Sequence, residues 1–126
     1  MKFVINGRLD GLNEYINACR YNKYRANTMK RENEFMVFLA IKQAKLKKVA
    51  KYPVCLHITF YEPNYRRDLD NISFATKFIL DALVKSGVLE DDGQKYVSGL
   101  EYGFKKSKEN PRIEVELIEK CIINRI

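Results

Sequence analysis

Histidine, cysteine and long apolar runs are scarce in this 126-residue chain, and each scarcity removes a class of function. His57 is the only histidine, so a histidine-based catalytic triad or a mixed His/Cys zinc site would have to rest on that one ring. The three cysteines, Cys19, Cys55 and Cys121, are odd in number, widely separated and nowhere arranged as Cys-x-x-Cys. They read as reduced thiols of a cytoplasmic protein, with Cys55, inside an apolar run, expected to be plain core. No stretch approaches the roughly 18 apolar residues of a membrane span, and MKFVINGRLDG turns polar too early for a signal peptide. Internal repeats, linkers and low-complexity tracts are missing, and nothing calls for a nucleotide cofactor.

What remains is an ordinary globular composition, 46% hydrophobic and 31% charged, at a length that supports one core and one domain over 1–126. Twenty-three basic and 16 acidic side chains leave a formal net charge of +7. That excess favours a polyanionic partner, although a basic surface also serves solubility alone.

Periodicity gives the order β-α-β-α-β-β, an α+β fold with a mixed or antiparallel sheet and two main helices. Residues 2–6 read as a short strand closed by Gly7. The polar stretch 8–27 shows no clear period and reads as a loop. A helix is expected from Asn27 or Thr28 to about Val49, with Phe35, Phe38, Leu39, Leu46 and Val49 on its buried face. Residues 54–61 alternate as a half-buried strand. A second helix runs from about Asn71 to Lys85 and stops before Gly87. Strands follow at 95–104 and 112–118, and the polar link between them suits a hairpin.

The most informative residues are Asp68-Leu69-Asp70-Asn71. In an extended backbone both carboxylates project to one side, where they repel unless a cation lies between them. Hard oxygen ligands of this kind suit Mg²⁺ or Mn²⁺, completed by water and phosphate oxygens. The plainer alternative is that Asp70 caps the second helix and Asp68 is a solvated neighbour. An EF-hand is excluded, because Ser73 and Ile79 stand where its glycine and glutamate belong. Asp91 and Asp92 lie in a turn from which the chain could return towards the start of the second helix, supplying a third carboxylate. In one continuous helix Lys77 shares a face with Asp70, about 10 Å along the axis. Its alternative is an i,i+4 pair with Asp81.

Basic residues surround the acids. Arg66 and Arg67 precede Asp68. Arg20, Lys23, Arg25, Lys30 and Arg31 form an acid-free stretch interleaved with Tyr21 and Tyr24, a pattern suited to phosphate contacts. Lys42, Lys45, Lys47, Lys48 and Lys51 cluster further on, either as a contact surface or as a solvated face. Cations that hold a strand around carboxylates that hold metal are what metal-assisted phosphodiester hydrolysis requires.

Three segments in order, Arg67-Asp68-Leu69-Asp70-Asn71, Lys77-Phe78-Ile79-Leu80-Asp81-Ala82-Leu83 and Gly87-Val88-Leu89-Glu90-Asp91-Asp92-Gly93-Gln94, resemble the RusA family of Holliday junction resolvases. Gly11-Leu12-Asn13 is similar to a looser form of that family's N-terminal motif. The resemblance implies a homodimeric endonuclease that resolves four-way DNA junctions by paired symmetric nicks, using Mg²⁺ with Mn²⁺ as a substitute. It implies Asp68, Asp70 and Asp92 as catalytic metal ligands, Lys77 as the functional lysine and Arg67 as the basic residue beside the site. The chain departs from the pattern once: many members place the lysine four residues after the second aspartate, where Phe74 stands here. Two other readings stay open, a non-catalytic basic nucleic-acid-binding module and a metal nuclease acting on other branched DNA or on RNA.

Overall fold

The computed structural model describes residues 1–121. Strand β1 (Lys2–Asn6) leads into helices α1 (Leu12–Tyr21) and α2 (Lys23–Gln43), and then into β2 (Val54–Glu62). Helices α3 (Leu69–Ser73) and α4 (Thr76–Lys85) connect β2 to β3 (Val97–Lys106), and β4 (Arg112–Glu119) follows. The strands form one sheet in the order β1-β4-β2-β3. β2 pairs parallel with β3 and antiparallel with β4, and β4 pairs antiparallel with β1. The expected α+β class and mixed sheet are therefore present.

Alternation along β2 sends Leu56, Ile58 and Phe60 to the helix-covered face, where Phe78, Ile79 and Leu83 of α4 and Val37 and Ile41 of α2 meet them in one core cluster. Phe3, Ile5, Ile113, Val115 and Leu117 extend that core across β1 and β4. The opposite face carries His57, Thr59 and Tyr61, only partly covered by their neighbours. No helix among the described residues is long and apolar enough to cross a membrane.

Five expectations need correction. Residues 8–27 are not a loop: α1 occupies Leu12–Tyr21, and α2 begins at Lys23 after Asn22 turns the chain and accepts a hydrogen bond from the Arg25 amide at 2.7 Å. The long helix ends at Gln43, and its inward face is Asn33, Glu34, Val37, Ala40 and Ile41, leaving Phe35 and Leu39 exposed. Val49 is buried, but outside the helix. The second helix is broken at Phe74–Ala75 into α3 and α4. Finally, β3 and β4 are not a hairpin, because β2 lies between them. The link at 107–111 has only to cross two strand spacings, about 10 Å, which five residues do easily.

The fifth correction concerns the cysteines. The antiparallel register of β2 and β4 carries Cys121 back beside Pro53, whose carbonyl accepts the Cys121 amide at 3.0 Å. Cys121 is bonded to Cys55, with Cα atoms 5.5 Å apart, within the normal span of a disulfide. Cys19 is a free, exposed thiol.

Candidate active site

The acidic motif sits where β2 ends. After Glu62 the chain turns through 63–68 and enters α3, with Asp68 extended at its N-cap position (φ −71°, ψ 159°) and Asp70 in its first turn. Asp70 is thus helical, so the extended geometry expected for Asp68-Leu69-Asp70 does not occur. The capping alternative fails as well, since the Asp68 side chain makes no cap hydrogen bond. The Asp70 carboxylate accepts the neighbouring Asn71 amide at 3.0 Å. Both carboxylates are exposed, and neither joins an ion pair among the described residues. Two free carboxylates on adjacent turns of backbone, without a local cation, are available to an incoming one.

A buried ionic brace fixes the turn that presents them. The Glu62 carboxylate, 9% exposed, receives Arg67 Nε at 2.9 Å and Nη2 at 2.8 Å, a paired contact, and Arg8 Nη2 at 2.9 Å. Arg67 also donates to the Leu9 carbonyl at 3.1 Å. Burial alone would raise the Glu62 pKa, but the hydrogen bonds and charges of Arg67 and Arg8 outweigh it and hold the carboxyl below its ordinary value. For Arg67, burial opposes the charge, yet Glu62 and Glu14 hold its pKa above the ordinary value. The guanidinium of Arg67 is therefore turned inward and committed to Glu62. Glu62 and Arg8 carried no motif signal; the only hint was an acidic residue closing an alternating strand.

A second support comes from the N-terminal segment. Asn33, buried in α2, donates to the Asp10 carboxylate and accepts the Asp10 amide, at 2.8 and 2.9 Å. This places Gly11 against Asn71, whose Oδ1 accepts the Asn13 amide at 2.9 Å. A Cβ on Gly11 would lie 2.5 Å from that Oδ1 and 2.6 Å from the Asn71 carbonyl oxygen, so no side chain fits there. Gly11-Leu12-Asn13 and Asp68-Leu69-Asp70-Asn71, remote in sequence, are one unit in space. Tyr15 extends it by packing on Phe74 and Phe78, with ring centroids 5.3 and 6.5 Å away. Phe74, standing where many relatives carry the lysine, is thus an anchor between α1 and α4.

Asp92 does not join Asp68 and Asp70 within the chain. Glu90 bonds through its amide to the Tyr52 hydroxyl, and Tyr96 accepts the Val54 amide, at 2.9 and 2.8 Å, so the Asp91–Asp92 turn lies at the start of β2. Asp68 lies at its end, in a groove of about 330 Å³ lined by Glu62, Tyr65, Leu69, Phe104 and Lys105 among others. Nine residues of strand, roughly 26 Å, separate the two ends. Accordingly no three His, Cys, Asp or Glu side chains among the described residues are grouped to hold a metal ion. The expected return of the chain from Asp92 to the helix start is not made, because α3 and α4 run the full length of β2 before β3 begins. Within its turn, Asp91 accepts the Asp92 amide at 2.8 Å, while the Asp92 carboxylate has no partner among the described residues.

Lys77 is exposed and lies 3.8 Å from Asp81, which Lys30 approaches to 3.6 Å from α2. The one-face argument for Lys77 and Asp70 fails with the helix break at Phe74–Ala75. The expected DNA-contacting residues fall into two groups. Arg20, Lys23, Arg25 and Arg31 lie exposed on and near the α1–α2 corner with Tyr21 and Tyr24, and the Arg25 guanidinium sits 4.8 Å from the Tyr21 ring centre. Arg66 is exposed on the turn before Asp68. Those five make no ion pair among the described residues, whereas Lys30 and Arg67 do.

No curated protein sequence matches the chain. The family model for the endodeoxyribonuclease RusA matches residues 12–118, from the first residue of α1 to the penultimate residue of β4, and takes in the whole acidic motif and its supports. The chain belongs to the RusA family of endodeoxyribonucleases.

Proposed function

We propose that this endodeoxyribonuclease is a Mg²⁺-dependent resolvase of four-way DNA junctions, serving recombination and repair. The observation that carries the reading is the pair of exposed, uncompensated carboxylates of Asp68 and Asp70, held by a buried brace in an otherwise basic protein. Mg²⁺ is commonly held by one or two carboxylates together with phosphate oxygens, so this pair fits it without a complete protein cage. Asp68 and Asp70 would hold the ion, which activates water and neutralises charge developing on the scissile phosphate. Arg66 and the basic α1–α2 corner bind the flanking backbone and orient it. Lys77 is the proposed cation nearest in sequence to the acidic pair, relaying through Asp81 to Lys30 of α2.

Paired nicks need two sites, and one chain carries one acidic pair, so the active form is a homodimer. The same assembly accounts for Asp92: a second copy related by two-fold symmetry brings the start of its own β2 towards the end of the first. Asp92 then completes the carboxylate set from the other chain.

A panel of four-way, three-way and linear DNA duplexes, each incubated with and without Mg²⁺, tests this function. Cleavage is expected on the four-way junction in the presence of the metal, with the linear duplex intact. Equal cutting of all three substrates would assign a general nuclease, and binding without any cleavage would assign a non-catalytic module.

A further inference from the structure

We propose that the free edge of β3 is the surface through which two copies of this chain pair, antiparallel, into a continuous eight-stranded sheet. The inference rests on the proposed function for the need of a second copy; the choice of surface rests on the fold. The sheet has two open edges, β1 with five residues and β3 with ten. A long, uncovered edge presents a row of unpaired amides and carbonyls, a template that proteins ordinarily shorten, charge or cover. β3 keeps its full length. Leu100 and Tyr102, on its helix-facing side, remain 43% and 36% exposed, because α3 and α4 do not reach over them. Tyr65 and Leu69 are exposed on the adjoining turn, 83% and 58%, so the apolar strip continues past the end of the strand to the groove beside Asp68.

The strand's own sequence favours a copy of itself as the occupant. Centred on Gly103, antiparallel pairing sets Glu101 opposite the partner's Lys105, twice by symmetry, and Tyr102 opposite the partner's Phe104. Gly103 stands on the axis with ordinary clearance, since a Cβ there would come no nearer than 3.5 Å to Thr59. The antiparallel sense also runs the start of one β3, which follows the Asp91–Asp92 turn, towards the end of the other, which flanks Asp68. A parallel pairing, or pairing through β1, keeps those two ends apart.

The test is the solution mass of the full chain without DNA, combined with two sets of variants. The wild type is expected at twice the 14.8 kDa chain mass. Glu101→Lys and Lys105→Glu, each replacing an exposed charge, are expected to weaken the dimer on the order of tenfold while keeping the thermal melt. The double variant Glu101→Lys/Lys105→Glu restores it. In a Cys19→Ser background, Gly103→Cys is expected to cross-link between chains on mild oxidation, whereas Val4→Cys on the β1 edge does not. A monomeric wild type, single variants that pair as tightly as the wild type, or cross-linking through Val4→Cys alone would overturn the proposal. None of these readings uses cleavage. Failure of the surface is therefore distinguishable from failure of the nuclease function, which a wild-type dimer that never cuts branched DNA would show.

Discussion

Asp68→Asn is expected to lower the rate of junction nicking by about a thousandfold, the scale of several kcal/mol of metal-dependent charge stabilisation. The substitution keeps the shape of the side chain and its exposed position, so the fold and the thermal melt stay as they are. Junction binding is preserved or strengthened, because a negative charge facing phosphate has been removed while Arg66 and the α1–α2 corner remain. The combination is what matters. Loss of nicking with retained affinity identifies the carboxylate as part of the chemistry, and loss of both would identify it as part of the fold. Single-turnover cleavage and a gel-shift titration on one labelled junction measure the two quantities. A variant that cuts at the wild-type rate would remove Asp68 from the site.

Glu62→Ala has a different target and a large effect on stability. It leaves two guanidinium groups, one of them 13% exposed, without their shared acceptor. Breaking a buried ion pair from one side costs about 3 kcal/mol, because the surviving charge stays desolvated. In a domain whose total stability is on the order of 10 kcal/mol, that corresponds to roughly a 10 °C fall in melting temperature. The pH dependence follows from the lowered carboxyl pKa. Its contribution is complete above the ordinary value of 4.5 and is lost as pH falls through the lower folded value. The stability gap between wild type and Glu62→Gln is therefore expected to be widest at neutral pH and to close below about pH 4. Thermal melts across that range read it directly, and a gap independent of pH would contradict the brace.

The parts of this molecule that were legible in the sequence are those where local pattern and tertiary role agree. β1, β2 and β4 alternate cleanly because each buries one face, and their limits agree with the expected ones to within a residue. The acidic motif was legible because its residue types are costly without a ligand. Helix α1 was hidden because it buries only Ala18 fully, leaving little apolar stripe to read, although Leu12, Tyr15 and Cys19 do recur at helical spacing. In α2 the apolar residues Phe35 and Leu39 misled, since the inward face includes Asn33 and Glu34, made tolerable by Asp10 and Lys85. The false hairpin and the displaced Asp92 share one cause. Sheet order is a non-local property, and neither a polar link nor an acidic turn records that β2 lies between β3 and β4 or that its length separates two carboxylate groups.

The most direct measurement is the product of cutting a supercoiled plasmid that extrudes a four-way cruciform. Two nicks made symmetrically across the junction within one binding event convert the plasmid to a linear molecule, whereas isolated nicks only relax it. The account predicts linear product with Mg²⁺, none after chelation, and none from Asp68→Asn. Relaxed circles alone, or linear product that persists without divalent metal, would contradict it.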